Sequence, residues 1–214
     1  MNKRGYWIIG VLCLILGATS AGCIRSSSLP SVPSATVPSA PAVRNDLPRR
    51  PEPDVALLQF KKGAQLLENG RNEEARLLFE RLRNAYPKMG VVYMNLGVAY
   101  KRLGLLPEAI SSYQRALEIE RDDAEIYYNL AIALREQGEF QKAEAAYKTA
   151  LVISPDFVDA HYNLAVLYDL YLNNPDDAIR HYQRFLELGG GDSKEIQIWI
   201  SALQKRIDES RRSP

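Results

Sequence analysis

Cysteine and histidine are scarce in this chain, with two of each among its 214 residues. Both cysteines, Cys13 and Cys23, lie near the N-terminus, so the rest of the chain forms no disulfide and has to be held by its apolar core. The two histidines, His161 and His181, are separated by 20 positions, and no H-E-x-x-H, G-x-S-x-G or phosphate-binding glycine motif occurs. The sequence therefore favours a protein that is not an enzyme, and it predicts no metal site and no cofactor.

An excess of charge of either sign is also missing. The chain has 27 lysines and arginines against 26 aspartates and glutamates, and beyond residue 23 the balance is 25 to 26. Proteins that bind nucleic acid usually carry a basic surface that neutralises phosphates. We therefore expect no nucleic-acid partner.

The N-terminal 22 residues have the composition of a secretory signal peptide. Lys3 and Arg4 precede an apolar run from Tyr6 to Leu16, and a stretch of small residues follows. The run is shorter than the roughly 20 residues that a membrane-spanning helix needs. Residues 1–22 are therefore predicted to be a targeting segment.

The end of this segment resembles the processing site of bacterial lipoproteins, where a cysteine becomes the lipidated first residue. Ala21, Gly22 and Cys23 match that site, whereas Ser20 stands where a large aliphatic residue is usual. Ordinary secretory cleavage near Ala21 therefore stays open as the alternative. If Cys23 is lipidated, the resemblance implies the outer membrane, because Ile24 replaces the aspartate that favours the inner one.

Proline is concentrated between the predicted lipid anchor and the rest of the chain. Seven of the twelve prolines lie between residues 24 and 53, separated mainly by serine, alanine and valine. Such a composition supports neither a helix nor a sheet. We therefore interpret residues 23–53 as the anchor cysteine followed by a disordered linker.

From residue 54 onwards, one pattern of large and small residues recurs every 34 positions. Tyr127, Leu130, Ala131 and Leu134 are spaced so that they form one apolar stripe along a helix. Gly138 then predicts a helix end, because glycine adopts the left-handed conformation of a C-terminal cap without strain. A second stripe follows it, formed by Ala143, Tyr147 and Ala150. The tyrosine rings are expected to fill the space beside the small residues, and each block is expected to be a pair of antiparallel helices.

This pattern resembles that of the tetratricopeptide-repeat (TPR) family, in which W-x2-L-G-x2-Y is followed by A-x3-F and proline. The resemblance covers about residues 56–190 and implies an all-α, right-handed solenoid of about four helix pairs. The array is predicted over residues 54–191, followed by a C-terminal capping helix over residues 192–210. The four blocks are residues 56–89, 90–123, 124–157 and 158–191.

Several local features refine this prediction. Asn72 is a candidate N-cap in the first block, and Asp192 or Ser193 is a candidate N-cap of the last helix. The fourth block has one extra residue at its turn, where Asn173, Asn174 and Pro175 replace glycine. Phe185 occupies a position held by alanine in the earlier blocks, so we expect it to change how the last helix packs.

Stacked helix pairs form a groove lined by the first helix of each pair. The candidate peptide-binding residues are the non-core neighbours of the motif positions on those helices, and the resemblance implies that they face this groove. They are Phe60, Met94, Asn95, Val98, Tyr128, Asn129, Ile132, Arg135, Tyr162, Asn163 and Val166. An asparagine ladder can pair with the main chain of an extended peptide, and it can equally hold the backbone of the groove itself. The family's carboxylate clamp is not expected, because Phe60, Ala64 and Glu125 replace the residues that it needs.

The sequence thus favours an outer-membrane lipoprotein that faces the periplasm and acts as a protein-binding adaptor. By resemblance, its protein partners would be envelope proteins such as secretion or pilus assembly proteins, or cell-wall hydrolases. Two alternatives stay open, a secreted form that self-associates through the Phe185 region or the last helix, and an envelope enzyme. The last helix itself is interpreted as a lid over the fourth block rather than as a partner-binding helix.

Replacing Cys23 with serine is expected to release the protein from the membrane fraction into the soluble periplasm, because the thiol that would carry the lipid is lost. Cell fractionation followed by immunoblotting measures this. The matched control is Cys13→Ser, which changes a cysteine inside the predicted signal peptide. Unchanged fractionation of the Cys23→Ser variant would refute lipidation.

Overall fold

The computed structural model describes residues 53–191 and 193–212, and this part of the chain is helical without strands. Its helices are α1 (Pro53–Glu68), α2 (Asn72–Ala85), α3 (Gly90–Arg102), α4 (Leu106–Ile119), α5 (Ala124–Glu136), α6 (Phe140–Ile153), α7 (Val158–Leu170), α8 (Pro175–Glu187) and α9 (Ser193–Arg212). None of these helices is both long and apolar enough to cross a membrane. The predicted signal peptide, Cys23 and the linker up to residue 52 lie outside the described residues.

Each helix packs mainly on helices that are adjacent to it in the chain. Contacts are most extensive within the pairs α3–α4, α5–α6 and α7–α8, and smaller contacts connect α1 to α3 and α3 to α5. A pair buries too little apolar surface alone, and stacking joins the pairs into a continuous core. The predicted all-α solenoid of helix pairs with a C-terminal helix is therefore confirmed.

The turn inside each pair is made where the sequence predicts it. Gly138 follows the end of α5 with φ of +84°, and the backbone N–H of Glu139 donates to the carbonyl of Leu134 at 2.8 Å. This geometry satisfies carbonyl groups at the helix end, and it needs a left-handed residue that glycine supplies without strain. The helix break predicted at Gly138 is confirmed.

The turn between α7 and α8 is one residue longer than the turn between α5 and α6. Asn173 adopts the left-handed conformation with φ of +47°, and Pro175 is the first residue of α8. The side-chain oxygen of Asn174 accepts a hydrogen bond from the backbone N–H of Asp177 at 3.3 Å. Asparagine and proline therefore replace glycine here in the roles predicted for them.

The core is built from aromatic rings of the second helices packed against small residues of the first helices. Tyr113 and Tyr147 have no solvent-exposed surface. A β-carbon on Gly97 would lie only 2.6 Å from the Tyr113 ring, so the close approach depends on the missing side chain. The hydroxyl groups of both tyrosines are buried and have no hydrogen-bond partner among the described residues, and burial raises the pKa of each phenol above its usual value.

Tyr127 does not fill the core as its position in the motif predicts. It is half-buried, whereas Tyr93, one block earlier, is 8% exposed. The guanidinium of Arg115 lies 5.9 Å from the centre of the Tyr93 ring and covers it. Thr149, whose side chain is much shorter than that of arginine, stands at the matching position of the next block. The prediction that Tyr127 is a core ring is therefore wrong.

The predicted N-cap at Asn72 is also wrong. Asn72 is the first helical residue of α2, and the cap position is held by Arg71, whose side chain makes no capping hydrogen bond. Arg71 instead pairs with Glu74 at 2.6 Å, while the side-chain oxygen of Asn72 is buried without a partner. The predicted N-caps of α9 are not tested, because Asp192 and the Ser193 side chain lie outside the described residues.

Phe185 packs against the glycines that follow α8. Its ring is 8% exposed, and a β-carbon on Gly190 would lie 2.2 Å from it. The space that a larger ring needs is therefore provided by the missing side chain of Gly190. Helix α9 covers this end of the array and buries Ile196, Leu203 and Ile207.

Replacing Ala131 with leucine is expected to lower the free energy of unfolding by about 1 to 3 kcal/mol, because extra methylene groups would be forced into a fully buried site. Denaturant unfolding followed by circular dichroism measures this. Ala145→Leu is the matched control, since Ala145 is an exposed residue of α6. Equal stability of the two variants would contradict the proposed packing of the helix pair.

Candidate functional site

The sequence-predicted groove residues all lie on the first helices of the pairs, namely α1, α3, α5 and α7. Each of these eleven side chains is half-buried, so each combines a packing contact with exposed surface. The structure also connects neighbouring helices through them, because the Asn163 amide on α7 donates a hydrogen bond to the Tyr128 hydroxyl on α5 at 3.1 Å. We call this set of eleven residues the groove face.

The apolar members of the groove face rest on the core. Phe60 meets the edge of the Phe79 ring with centroids 5.8 Å apart. Partly buried side chains that pack against the core supply the remaining apolar surface, and they are Met94, Val98, Ile132 and Val166. These contacts hold the side chains in place before any ligand arrives, which reduces the entropy lost on binding.

Tyr128 and Tyr162 are anchored more firmly than the sequence suggests. The Tyr128 ring lies 4.8 Å from the Phe157 ring and 6.0 Å from the Tyr147 ring, and its burial raises the pKa of the phenol. The centre of the Tyr162 ring lies 5.1 Å from the centre of the Phe185 ring and 6.4 Å from that of Trp199 of α9. Both tyrosines therefore offer one partly exposed face on a fixed ring.

The three asparagines of the groove face share one conformation. The side-chain N–H of each donates to the main-chain carbonyl four residues earlier at 2.9 Å, and the pairs are Asn95 with Val91, Asn129 with Glu125 and Asn163 with Asp159. A carbonyl only accepts, so this bond fixes the orientation of each amide. The side-chain oxygens receive no hydrogen bond from the described residues. The asparagines thus hold the groove backbone and still present a row of acceptors.

Ion pairs tie the charged side chains of the first helices to their neighbours. Lys101 of α3 lies 3.9 Å from Glu136 of α5, and Arg206 of α9 lies 3.3 Å from Asp169 of α7. No ion pair of Arg135 occurs among the described residues. Arg135 is therefore a cation of the groove face that is available to a ligand.

The starts of α5 and α7 enclose an acidic cleft of about 720 Å³ that sequence reasoning missed. Its carboxylates belong to matching loops of two successive blocks, and they are Asp122, Asp123, Glu125, Asp156 and Asp159. Asp123 is used locally, because it accepts hydrogen bonds from the backbone of α5, and Asp156 pairs with Arg184 at 2.6 Å. The 34-residue period of the sequence could have indicated this cleft, because it places successive inter-pair loops side by side.

The two histidines, far apart in sequence, lie in contact. The Nε2 of His161 donates to the Pro155 carbonyl at 2.9 Å, which leaves its Nδ1 as the acceptor for the Nδ1–H of His181 at 2.9 Å. Burial, followed by the proximity of His161, Arg180 and Lys148, lowers the pKa of His181 to about 4. His161 is 8% exposed and hydrogen-bonded, so it is a satisfied core histidine.

Within the described ranges, no three His, Cys, Asp or Glu side chains are grouped in a way that could hold a metal ion. The histidines bond to each other and to a main-chain carbonyl rather than to a serine or a carboxylate. The arrangement is therefore suited to holding helices together and to presenting a groove.

Three family models described as tetratricopeptide repeat match residues 58–88, 88–156 and 134–198. No curated protein matches the sequence. The structure of this chain is similar to many solved structures.

One similar structure is a crystal structure of the MamA protein, with TM-score 0.60 and 22% identity, which covers 72% of this chain and 89% of that one. PilF of Pseudomonas aeruginosa has TM-score 0.64 and 18% identity, with 73% of this chain and 70% of that one covered. The first TPR domain of Spaghetti (RPAP3), bound to the HSP90 peptide SRMEEVD, has TM-score 0.54 and 22% identity, with 56% and 96% covered. At these identities the likeness shows the fold.

The lowered pKa of His181 predicts that stability decreases in mild acid. In the unfolded chain His181 has a pKa near 6.5, whereas in the folded chain its pKa is about 4. The stability that neutral His181 contributes is therefore fully present above pH 6.5 and is lost as the pH falls towards 4. Between pH 7.5 and 5.5 the loss is expected to be on the order of 1 kcal/mol, allowing for the partial exposure of His181. Urea unfolding at the two pH values measures it. His181→Gln is the control and should lose less; an equal loss in both proteins would contradict the assignment.

Proposed function

This chain belongs to the tetratricopeptide-repeat family, and we propose that it is a protein-binding adaptor whose groove face holds an extended segment of a partner protein. The family is typically a non-catalytic protein-interaction module. The groove face provides what such binding needs, namely fixed aromatic and aliphatic surface, polar acceptors and one cation, Arg135.

The observation that carries the proposal is the common orientation of Asn95, Asn129 and Asn163. Each amide is fixed by its own helix, and each side-chain oxygen is left to accept a hydrogen bond from a ligand. An extended peptide offers main-chain N–H donors at regular intervals, whatever its side chains. A ladder of acceptors on successive repeats is therefore matched to a peptide backbone.

A neighbouring structure supports the same reading. The TPR domain of Spaghetti is bound to an HSP90 peptide, and its fold is similar to that of this chain. The residues of a carboxylate clamp are absent here, as Phe60, Ala64 and Glu125 occupy those positions. We therefore propose an internal segment of the partner as the ligand, rather than its C-terminal carboxylate.

We further propose that the adaptor is anchored at the outer membrane through Cys23 and faces the periplasm. The support is the sequence of residues 1–23 together with the proline-rich residues 24–53, which would space the repeats about 30 Å or more from the anchor. Its partners would then be envelope proteins, such as secretion or pilus assembly proteins or cell-wall hydrolases.

Self-association through the last helix is the second candidate function, and one observation favours it. Ile198 of α9 is 67% exposed, on the side of the helix away from its buried stripe. Phe185 does not favour it, because its ring is buried inside this chain. Light scattering of the full chain and of an Ile198→Ser variant distinguishes a dimer from a monomer.

Replacing Asn95, Asn129 and Asn163 together with alanine is expected to remove most of the partner captured by crosslinking in intact cells, because the acceptor ladder is lost. The matched control replaces three exposed amides on the second helices, Gln114, Gln141 and Gln183, with alanine. Mass spectrometry of the crosslinked products measures capture, and circular dichroism checks folding. Equal capture by the two folded triple variants would refute the proposed role of the groove face.

A further inference from the structure

The groove ends, next to α9, in a cleft lined by three aromatic rings. Tyr162, Phe185 and Trp199 surround a space of about 460 Å³ between the starts of α7 and α9 and the end of α8. The Tyr162 ring is tilted by 45° to the Phe185 ring and by 37° to the Trp199 ring, so the three rings form a wall rather than a closed stack. Tyr162 and Trp199 are half-buried and Phe185 is 8% exposed. We call this space the aromatic cleft.

The charges at the aromatic cleft are of one sign. Among the described residues that line it, the charged ones are Asp159 and Glu195, and none is a lysine or an arginine. Neither carboxylate forms an ion pair with a described residue, and both residues are exposed. Asp159 also lines the acidic cleft beside it, so the negative surface continues from one cleft to the other.

Aromatic faces together with unpaired carboxylates attract a cation that can stack. The guanidinium of arginine is planar, is weakly hydrated and binds both to ring faces and to carboxylates. We propose that the aromatic cleft binds an arginine side chain of the partner segment. The guanidinium lies against the rings of Tyr162 and Trp199, and Asp159 and Glu195 supply the opposite charge. This inference rests on the proposed function and adds to it the chemistry of one ligand residue.

Intrinsic fluorescence tests the proposal directly. The chain has two tryptophans, so a full-length Trp7→Phe variant reports on Trp199 alone. The probes are acetyl-Ala-Ala-Arg-Ala-Ala-amide and the same peptide with citrulline, which has nearly the shape of arginine without its charge. Saturable change in Trp199 emission with the arginine peptide, and at least about fivefold weaker binding of the citrulline peptide, is the expected result. Equal binding of both peptides, or no change with either, overturns it.

The carboxylates are tested in the same background. Asp159→Asn with Glu195→Gln is expected to weaken binding of the arginine peptide at least about fivefold. Glu68→Gln with Glu108→Gln changes the net charge by the same amount at exposed sites distant in sequence and is expected to bind as the parent does. All four sites are exposed, so folding is expected to be retained. Equal weakening in both double variants would mean that only the overall charge matters, and would overturn the proposal.

The outcome also separates this inference from the function on which it rests. If the Asp159/Glu195 variant binds the arginine peptide normally while the triple asparagine variant loses its partner, the arginine site is wrong and the adaptor function stands. If the arginine peptide binds as expected while the triple asparagine variant captures its partner normally, the arginine site stands and the proposed acceptor ladder is wrong.

Discussion

The packing of an aromatic ring against a residue with almost no side chain is the contact on which this structure depends. Gly63 meets Phe79 and Gly97 meets Tyr113, each at a distance that leaves no space for a β-carbon unless the ring moves. This contact sets how closely the two helices of a pair approach. Because it recurs in successive pairs, it also sets how each pair stacks on the next, and hence which side chains the first helices expose.

The groove face is a by-product of that stacking. Core packing uses one stripe of each first helix, so the neighbouring side chains are half-buried. Their contacts with the core fix Tyr128 and Tyr162, and bonds within each helix fix the three asparagines. The groove face is therefore largely ordered by the fold itself, and under the proposed function a ligand would not have to supply the free energy of ordering it.

The features predictable from the sequence are those set within one helix or one turn. The 34-residue period identified the helices, Gly138 and Asn173 identified turns, and the extra residue in the fourth block was visible by counting. Features that depend on how the side chains of two helices meet were missed. Tyr127 is more exposed than Tyr93, and Thr149 stands at the position from which Arg115 covers the Tyr93 ring, while the contact between His161 and His181 depends on how α7 faces α8. The acidic cleft likewise arises only when loops from successive blocks are aligned.

Contacts that run almost only between helices adjacent in the chain have a further consequence, because no element of residues 53–212 that the structure describes closes the array on itself. Its length can change by whole units, since a duplicated or deleted pair meets the same kind of neighbour on both sides. An added pair would lengthen the acceptor ladder by one step. Evolution could therefore adjust the number of ligand residues that such a ladder would contact without redesigning the fold.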